Sequence, residues 1–291
     1  MQHAHLGGVT LEYEEQGSGE PVLLIGGAHV AAGYLPLIAQ PSLAERFRLI
    51  RYHKRGMAGS THTPPPVSIA DHAADAAQLL AHLGIGRAHV AGHSSGGAIA
   101  LQLALDRPDL VHSLVLFEPA MFWVPGAEAF MTKAGPCAAA YAAGDREGAV
   151  AIFLSAVGGV DQDGCRAMLD RNVPGGFVQA VADADTFFTS ELPAVLDWKM
   201  TAEQAATITQ PVLSVVGSRT EPVFADAAAL LQRWIPHVEQ LTLDGLGHLL
   251  HMEDPAPVAR GVSAFLARHP IRAAAIDPAA APAGVVLDQA M

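Results

Sequence analysis

The amino-acid sequence predicts an α/β fold, with a mostly parallel central sheet flanked by helices. The first observation is that short apolar segments typical of buried strands alternate with segments of helical periodicity. The second is that these strands are apolar along their length, which indicates a sheet covered on both faces. The third is size, because 291 residues, 51% of them hydrophobic, can bury one large core or a core with an inserted lobe.

The N-terminal part of the chain supplies most of the predicted strands. They are VTLEYEEQG, taken as an edge strand, PVLLIGG, FRLIRYH, RAHVAGHS and VHSLVLFEP. The segment SIADHAADAAQLLAHLG predicts an amphipathic helix that begins after the N-cap Ser68 and stops at Gly84. A second helix, SGGAIALQLALDRP, ends before Pro108. Later in the chain, PVLSVVGS and VEQLTLDG predict strands, and FADAAALLQRWI and DPAPVARGVSAFLARH predict helices.

The alternation stops between residues 120 and 206, where the pattern is mainly helical and rich in Ala, Gly and Phe. We interpret this stretch as a helical cap inserted between two strands of the sheet. The predicted domains are therefore a core of residues 1–119 plus 207–270 and a cap of residues 120–206. Residues 271–291 form a low-complexity C-terminal tail.

Composition excludes several classes of function. Lys and Arg total 17 against 29 Asp and Glu, and this net charge of −12 argues against nucleic-acid and anionic membrane partners. No signal peptide and no membrane-spanning apolar run are apparent, so we expect a cytoplasmic protein. The two cysteines, Cys137 and Cys165, match no metal-ligand spacing; they suggest a reducing compartment, although one incidental disulfide stays open.

The segment GHSSG, between a predicted strand and a predicted helix, is the strongest sign of chemistry. In a Gly-x-Ser-x-Gly turn the serine adopts a strained backbone, and the small flanking residues keep neighbouring elements from clashing with it. Gly92 and Gly96 place Ser94, rather than Ser95, at the centre of this pattern. Ser94 is therefore the candidate nucleophile.

A serine hydroxyl needs a neighbouring base to become a nucleophile at neutral pH. His248 lies in a glycine-flanked loop after the last predicted strand, where the sheet would bring it to the Ser94 turn. His251, three residues later, is the competing candidate, but it lies where the next helix begins. His93 is adjacent to Ser94, and we expect it to pack at the pocket rather than act as the base.

These motifs resemble the α/β-hydrolase fold over residues 9–269. The resemblance rests on GHSSG, on GLGHLLHMEDP and on RYHKRGMAGS, which is similar to the Arg-Gly-x-Gly-x-Ser loop of that family. It implies a Ser-His-acid triad in that chain order and a cap after the sixth strand. It also implies an oxyanion hole of backbone N–H groups, for which Ala28 and Ser95 are the expected donors.

Two positions depart from the family pattern. The histidine that usually follows the strand VLLIGG is replaced by Gly26, and His29 further on either lines the pocket or faces solvent. The usual acid position is Thr220, which cannot be anionic. We favour Glu118, at the end of an earlier strand, as the acid; Glu221 is the alternative, and a dyad without a direct acid also stays open.

The expected activity is that of a serine hydrolase cleaving a carboxylic ester or lactone through an acyl-enzyme, without a metal or organic cofactor. Aromatic residues concentrate in the predicted cap and indicate an apolar or aromatic acyl group. The predicted pocket residues are Gly27, His29, His93, Phe122 and Trp123. A C–C bond hydrolase, a cofactor-free haloperoxidase or perhydrolase, and a non-catalytic small-molecule binder are the alternatives; a monomer or a homodimer is expected.

Overall fold

The computed structural model describes residues 1–271, so the predicted tail lies outside the described residues from residue 272 onward. One eight-stranded sheet runs through the chain in the order β1-β2-β4-β3-β5-β6-β7-β8. The strands are β1 Gln2–Leu6, β2 Val9–Gln16, β3 Glu20–Ile25, β4 Phe47–Tyr52, β5 Ala88–His93, β6 Val111–Phe117, β7 Val212–Gly217 and β8 Glu239–Leu243. Among the described strands, only the β1–β2 and β2–β4 pairs are antiparallel. The predicted mostly parallel α/β sheet is confirmed.

The edge of the sheet differs from the prediction. The strand VTLEYEEQG was expected at the edge, but β1 covers it, with Gln2 opposite Tyr13. The sequence of β1, QHAHL, has no β-branched or aromatic residue, and only Ala4 and Leu6 are buried. Its pairing therefore depends on the neighbouring strand, and local strand propensity does not reveal it.

Helices of the core connect the strands. They are α1 Leu35–Ile38, α2 Pro41–Ala44, α3 Ile69–His82, α4 Ser95–Asp106, α13 Pro222–Trp234, α14 Leu250–Glu253 and α15 Pro255–Arg268. As predicted, Ser68 caps α3: its Oγ accepts from Asp71 N at 3.1 Å while the Asp71 carboxylate accepts from Ser68 N at 2.8 Å. Gly84, with φ +68°, follows the end of this helix.

Both faces of the sheet are buried, which explains the continuous apolar strands. In β3, Leu23 and Ile25 pack into one hydrophobic cluster with residues of α3 and α4. Val22 and Leu24 pack into the other, with residues of α1 and α15. Because successive side chains of a strand point to opposite faces, both faces must be apolar here.

Residues 120–206, called here the inserted segment, lie between β6 and β7 and contain helices but no strand. The helices are α5 Ala127–Ala134, α6 Pro136–Ala142, α7 Arg146–Gly158, α8 Gln162–Asn172, α9 Gly176–Ala182, α10 Ala184–Thr186, the π-helical turn Phe187–Glu191, α11 Leu192–Asp197 and α12 Ala202–Ala206. Cys137 and Cys165, both in this segment, are buried and free, so no disulfide joins them. Within residues 1–271 no helix has the length and apolarity needed to cross a bilayer.

Candidate active site

Ser94 lies in a sharp turn between β5 and α4. Its backbone has φ 53° and ψ −118°, a conformation that non-glycine residues rarely adopt. The turn is held to the end of β6, because Ser94 N donates to Phe117 O at 3.0 Å and Ser94 O accepts from Ala120 N at 2.9 Å. Neighbouring strands thus maintain the strained serine.

The two glycines of the motif allow the backbone segments around Ser94 to approach each other. A Cβ on Gly92 would lie 2.2 Å from Gly96 O, and a Cβ on Gly96 would lie 2.1 Å from Ile25 O. Both obstacles are backbone atoms, which cannot rotate away as a side chain would. The spacing in the sequence therefore has a steric cause in the fold.

We expect Gly96→Ala to lower the free energy of unfolding by about 1–3 kcal/mol, because the added methyl group overpacks the contact with β3. Urea unfolding measures the change. Gly86→Ala is the matched control, since a Cβ on Gly86 meets no atom within 4 Å. Equal midpoints for the two variants would contradict this account of the turn.

His248 and Glu118 are joined by a buried hydrogen bond. Glu118 follows β6, has φ 45° and is 0% exposed. Its Oε2 lies 2.8 Å from His248 Nδ1. Phe224 stacks on the imidazole with ring centroids 3.7 Å apart. The carboxylate and the phenyl ring together restrict the orientation of His248.

Two further donors converge on the Glu118 carboxylate. Gly217 N donates to Oε1 at 2.8 Å, and Thr220 Oγ1 donates to Oε2 at 2.6 Å. These hydrogen bonds fix the orientation of the carboxylate. Thr220, which occupies the usual acid position of the fold, thus supports a carboxylate that arrives from β6.

Glu221, the alternative acid, has a different partner. Its Oε1 lies 2.6 Å from Lys133 Nζ in α5, in an ion pair that is partly open to solvent. Its backbone forms the N-cap of α13. Among the residues the structure describes, it makes no hydrogen bond to His248.

Ser94 and His248 line the same small cavity, together with Ala28 and His93. His248 Nε2 has no hydrogen-bond partner among residues 1–271. No hydrogen bond joins it to Ser94 Oγ in this structure, and such contacts are often long until substrate binds. His248 Nε2, the ring nitrogen that does not face Glu118, is therefore available to a group in the cavity.

An adjoining small cavity, called here the Ser94 cavity, is lined by Ala28, Ser94 and Ser95 on the core side. The inserted segment supplies most of the remaining wall, including Phe122, Phe153, Val157, Phe187, Glu191 and Leu192. Within the described chain, Glu191 is the only ionisable residue in this lining. The cavity is therefore apolar except around Ser94 and Glu191.

The two predicted oxyanion donors both lie at this cavity. Neither the Ala28 N–H nor the Ser95 N–H donates a hydrogen bond to another protein group in the described part of the chain. Ser95 is the first residue of α4, where backbone N–H groups are unpaired and the helix dipole favours negative charge. Both groups are thus available to an oxygen atom bound beside Ser94.

The other histidines near His248 are buried and differ from it in their contacts. Burial, together with the smaller effect of the nearby His248, lowers the pKa of His251 to about 3. Burial also holds the pKa of His93 well below its ordinary value, with His251 and His248 adding to the effect. His93 therefore stays neutral at pH 7, and its Nε2 donates to His248 O at 2.9 Å. It positions the His248 loop.

The histidine rings pack against one another and do not converge on a common point. Ring centroids of His93 lie 4.6 Å from His248 and 4.3 Å from His251. Among residues 1–271, no group of three or more His, Cys, Asp or Glu side chains has the arrangement of a metal site.

The five predicted pocket residues fall into different environments. Phe122 lines the Ser94 cavity, and His93 lines the adjoining one. Gly27 lies behind His93, and a Cβ there would approach His93 Nδ1 to 2.5 Å. Trp123 packs edge-on against Trp198, 5.3 Å away, and is not among the residues lining either cavity.

His29 is buried, with 1% exposure, so the solvent-facing alternative is wrong. Its ring contacts Phe187, with centroids 3.9 Å apart, and Phe187 in turn lines the Ser94 cavity. Burial, together with the smaller effect of the positive charge of Lys54, lowers the pKa of His29 to about 3. This neutral ring forms a layer behind the cavity wall.

Sequence reasoning missed Lys54 and Glu191, which meet beside Ser95. Lys54 lies within the motif RYHKRGMAGS, but a single lysine among basic residues gives no sign of burial. Phe153 and Phe187 belong to the aromatic-rich stretch, yet nothing in their spacing separates cavity-lining rings from the other aromatic residues. Only the packing of the inserted segment on the core identifies them.

Known proteins share the fold of this chain. Residues 20–255 match the family described as alpha/beta hydrolase fold. A putative carbamate hydrolase RutD from Azorhizobium caulinodans is 41% identical over 117 residues, 40% of this chain and 43% of that protein. The chain thus spans less than half the length of this curated relative.

Two solved structures cover most of the chain. An alpha/beta hydrolase from Sphaerobacter thermophilus shares 29% identity with a TM-score of 0.71, over 91% of this chain and all of that one. Est816, described as an N-acyl homoserine lactone degrading enzyme, shares 25% identity with a TM-score of 0.71 over the same proportions. These relatives support a hydrolase.

Proposed function

Because the chain belongs to the alpha/beta hydrolase fold family, we propose that it is a serine hydrolase of carboxylic esters or lactones with an apolar or aromatic acyl part. The observation that carries the proposal is the buried Glu118–His248 hydrogen bond at the cavity that also contains Ser94. A base oriented by a carboxylate, beside a serine on a strained turn, is the arrangement that acyl transfer requires.

In the first step, His248 Nε2 takes the Ser94 hydroxyl proton while Ser94 Oγ forms a bond to the substrate carbonyl carbon. The carbonyl oxygen becomes an oxyanion, which accepts hydrogen bonds from the Ala28 and Ser95 N–H groups. Glu118 holds the proton on His248 Nδ1 and stabilises the imidazolium. The carbon–alkoxide bond then breaks, and His248 returns the proton to the leaving oxygen.

In the second step, His248 takes a proton from water as the water oxygen bonds to the acyl carbon of the Ser94 ester. The same two N–H groups stabilise the second oxyanion. Its collapse breaks the bond to Ser94 Oγ, which recovers the proton from His248 and releases the carboxylic acid. For a lactone, the acid and the alcohol remain in one product molecule.

The apolar lining of the Ser94 cavity supports an apolar or aromatic acyl group, because burying such a group there removes its surface from water. Alkoxides leave more readily than amines, which favours esters and lactones over amides. The lactone-degrading activity described for Est816 is in keeping with this choice. We further propose that the inserted segment acts as a cap, since it supplies most of the cavity wall.

Labelling with a fluorophosphonate tests the proposal. We expect one phosphonyl group per chain, located on Ser94 by peptide mass mapping, and a parallel loss of p-nitrophenyl ester hydrolysis. Labelling of Ser95 instead, or full activity after labelling of Ser94, would overturn the assignment. Labelling of Ser94 without turnover of any ester would contradict the esterase proposal and favour a binder or a C–C bond hydrolase.

A further inference from the structure

A buried ion pair lies immediately beside the candidate nucleophile, and the mechanism above does not use it. Lys54 follows β4 and Glu191 ends the π-helical turn of the inserted segment; their side chains are 2% and 4% exposed. Lys54 Nζ donates to Glu191 Oε1 and, at 3.1 Å, to Ser95 Oγ. Ser95 Oγ donates to the same Glu191 oxygen at 2.7 Å.

The fold alone gives little reason to bury these charges. Removing an ion pair from water costs several kcal/mol per ion, and well-packed apolar side chains of similar volume are often at least as stabilising. Such a pair is weak evidence for stability, so its position is the more informative observation. Glu191 lines the Ser94 cavity, whose other lining residues in the described chain are apolar or small.

The two carboxylate oxygens of Glu191 differ in their contacts. Oε1 accepts from both Lys54 and Ser95. Oε2 accepts no hydrogen bond within residues 1–271, and it is not completely buried. It therefore retains accessible surface on a residue that forms part of the cavity wall.

The charges around Glu191 determine which groups its Oε2 can bind. Lys54 already neutralises the carboxylate, so a second cation would be buried without a counter-charge, at a high desolvation cost. A neutral N–H or O–H group needs only an acceptor, and a charged acceptor makes the stronger type of hydrogen bond. The site is thus suited to an uncharged donor within an otherwise apolar acyl group.

We propose that Glu191 is a specificity-determining residue whose Oε2 accepts a hydrogen bond from a neutral hydroxyl or N–H group on the acyl part of the substrate. Lys54 and Ser95 position the carboxylate by holding Oε1. This proposal rests on the proposed function, because it assumes that the acyl group attached to Ser94 occupies the Ser94 cavity.

The test compares matched substrates that differ by one donor. Suitable pairs are the p-nitrophenyl esters of glycolate and propionate, and those of 4-hydroxybenzoate and 4-methylbenzoate, in which a hydroxyl replaces a methyl group. For at least one pair, we expect Glu191→Gln to lower the ratio of kcat/KM values, hydroxyl over methyl, by roughly tenfold to a hundredfold, as expected for one hydrogen bond to a charged group. The glutamine presents an N–H group or a weaker neutral acceptor to the substrate donor.

Two further variants separate recognition from folding. Lys54→Met/Glu191→Met removes both charges, so no unpaired ion stays buried, and it should lower the same ratio. Asp185→Asn is the matched control, because Asp185 lies on the same segment in an exposed pair with Arg146 and should leave the ratio unchanged. If both Glu191 variants lower kcat/KM equally for the two substrates of every pair, the ion pair is only structural and the proposal is overturned.

This result is distinguishable from a failure of the proposed function. If Ser94 is not acylated, neither member of any pair is hydrolysed by the wild-type protein, and the phosphonate does not label Ser94. If only the role of Glu191 is wrong, the wild-type protein hydrolyses these esters and the ratio is the same in every variant.

Discussion

Ser94→Ala is expected to lower kcat for p-nitrophenyl esters by on the order of 10⁴-fold to 10⁶-fold, because no other group can form the covalent acyl intermediate. Ser94 Oγ makes no hydrogen bond in the described structure, and alanine keeps the Cβ, so the fold loses little. Steady-state hydrolysis and thermal unfolding of the same preparation measure the two effects.

The residual rate of Ser94→Ala has its own diagnostic value. Oxyanion donors and binding alone still accelerate hydrolysis over water, so activity need not reach zero. Activity within tenfold of wild type would exclude the acyl-enzyme mechanism. His251→Gln is a comparison variant: it changes a neighbouring buried histidine that lines neither cavity, and we expect a much smaller loss.

Glu118→Gln is expected to lower kcat by about two to four orders of magnitude. Glu118 Oε2 now accepts from His248 Nδ1 and Thr220 Oγ1, while Oε1 accepts from Gly217 N. A glutamine has one acceptor oxygen, and if that oxygen stays with Gly217, its amide N–H group faces His248 Nδ1. The imidazole must then carry its proton on Nε2, where it cannot take the Ser94 proton.

Glu221→Gln is the matched control, since it makes the same chemical change on a carboxylate that pairs with Lys133 at the surface. We expect a change in kcat of less than about threefold, because exposed ion pairs contribute little. Circular dichroism and thermal unfolding of both variants distinguish lost chemistry from lost structure. A large loss in Glu221→Gln with none in Glu118→Gln would reverse the assignment of the acid.

Features carried by short sequence patterns could be predicted. The Ser94 turn needs glycines two residues away on each side, because backbone atoms of α4 and β3 lie close to where their Cβ atoms would be. The Ser68 cap of α3 depends on an aspartate three residues later. The strands of the parallel sheet could be located from their apolar residues, since both faces are buried.

Features set by distant partners could not be predicted with equal certainty. The strand β1 was not predicted, because its pairing with β2 stabilises it more than its own composition does. Trp123 was expected at the pocket from its position after Glu118, but its ring turns toward Trp198. Side-chain direction within a helical insertion depends on how its helices pack, which sequence spacing specifies poorly.

The amino-acid order was therefore sufficient for the α/β architecture, the strained serine and the short list of carboxylates and histidines, since each depends on residues within a few positions. Only the folded chain shows which carboxylate reaches His248, because Glu118 and His248 come together across 130 residues of sequence. It likewise brings Lys54 to Glu191, 137 residues away, beside Ser95. These contacts result from the packing of whole secondary-structure elements, and no short sequence pattern specifies them.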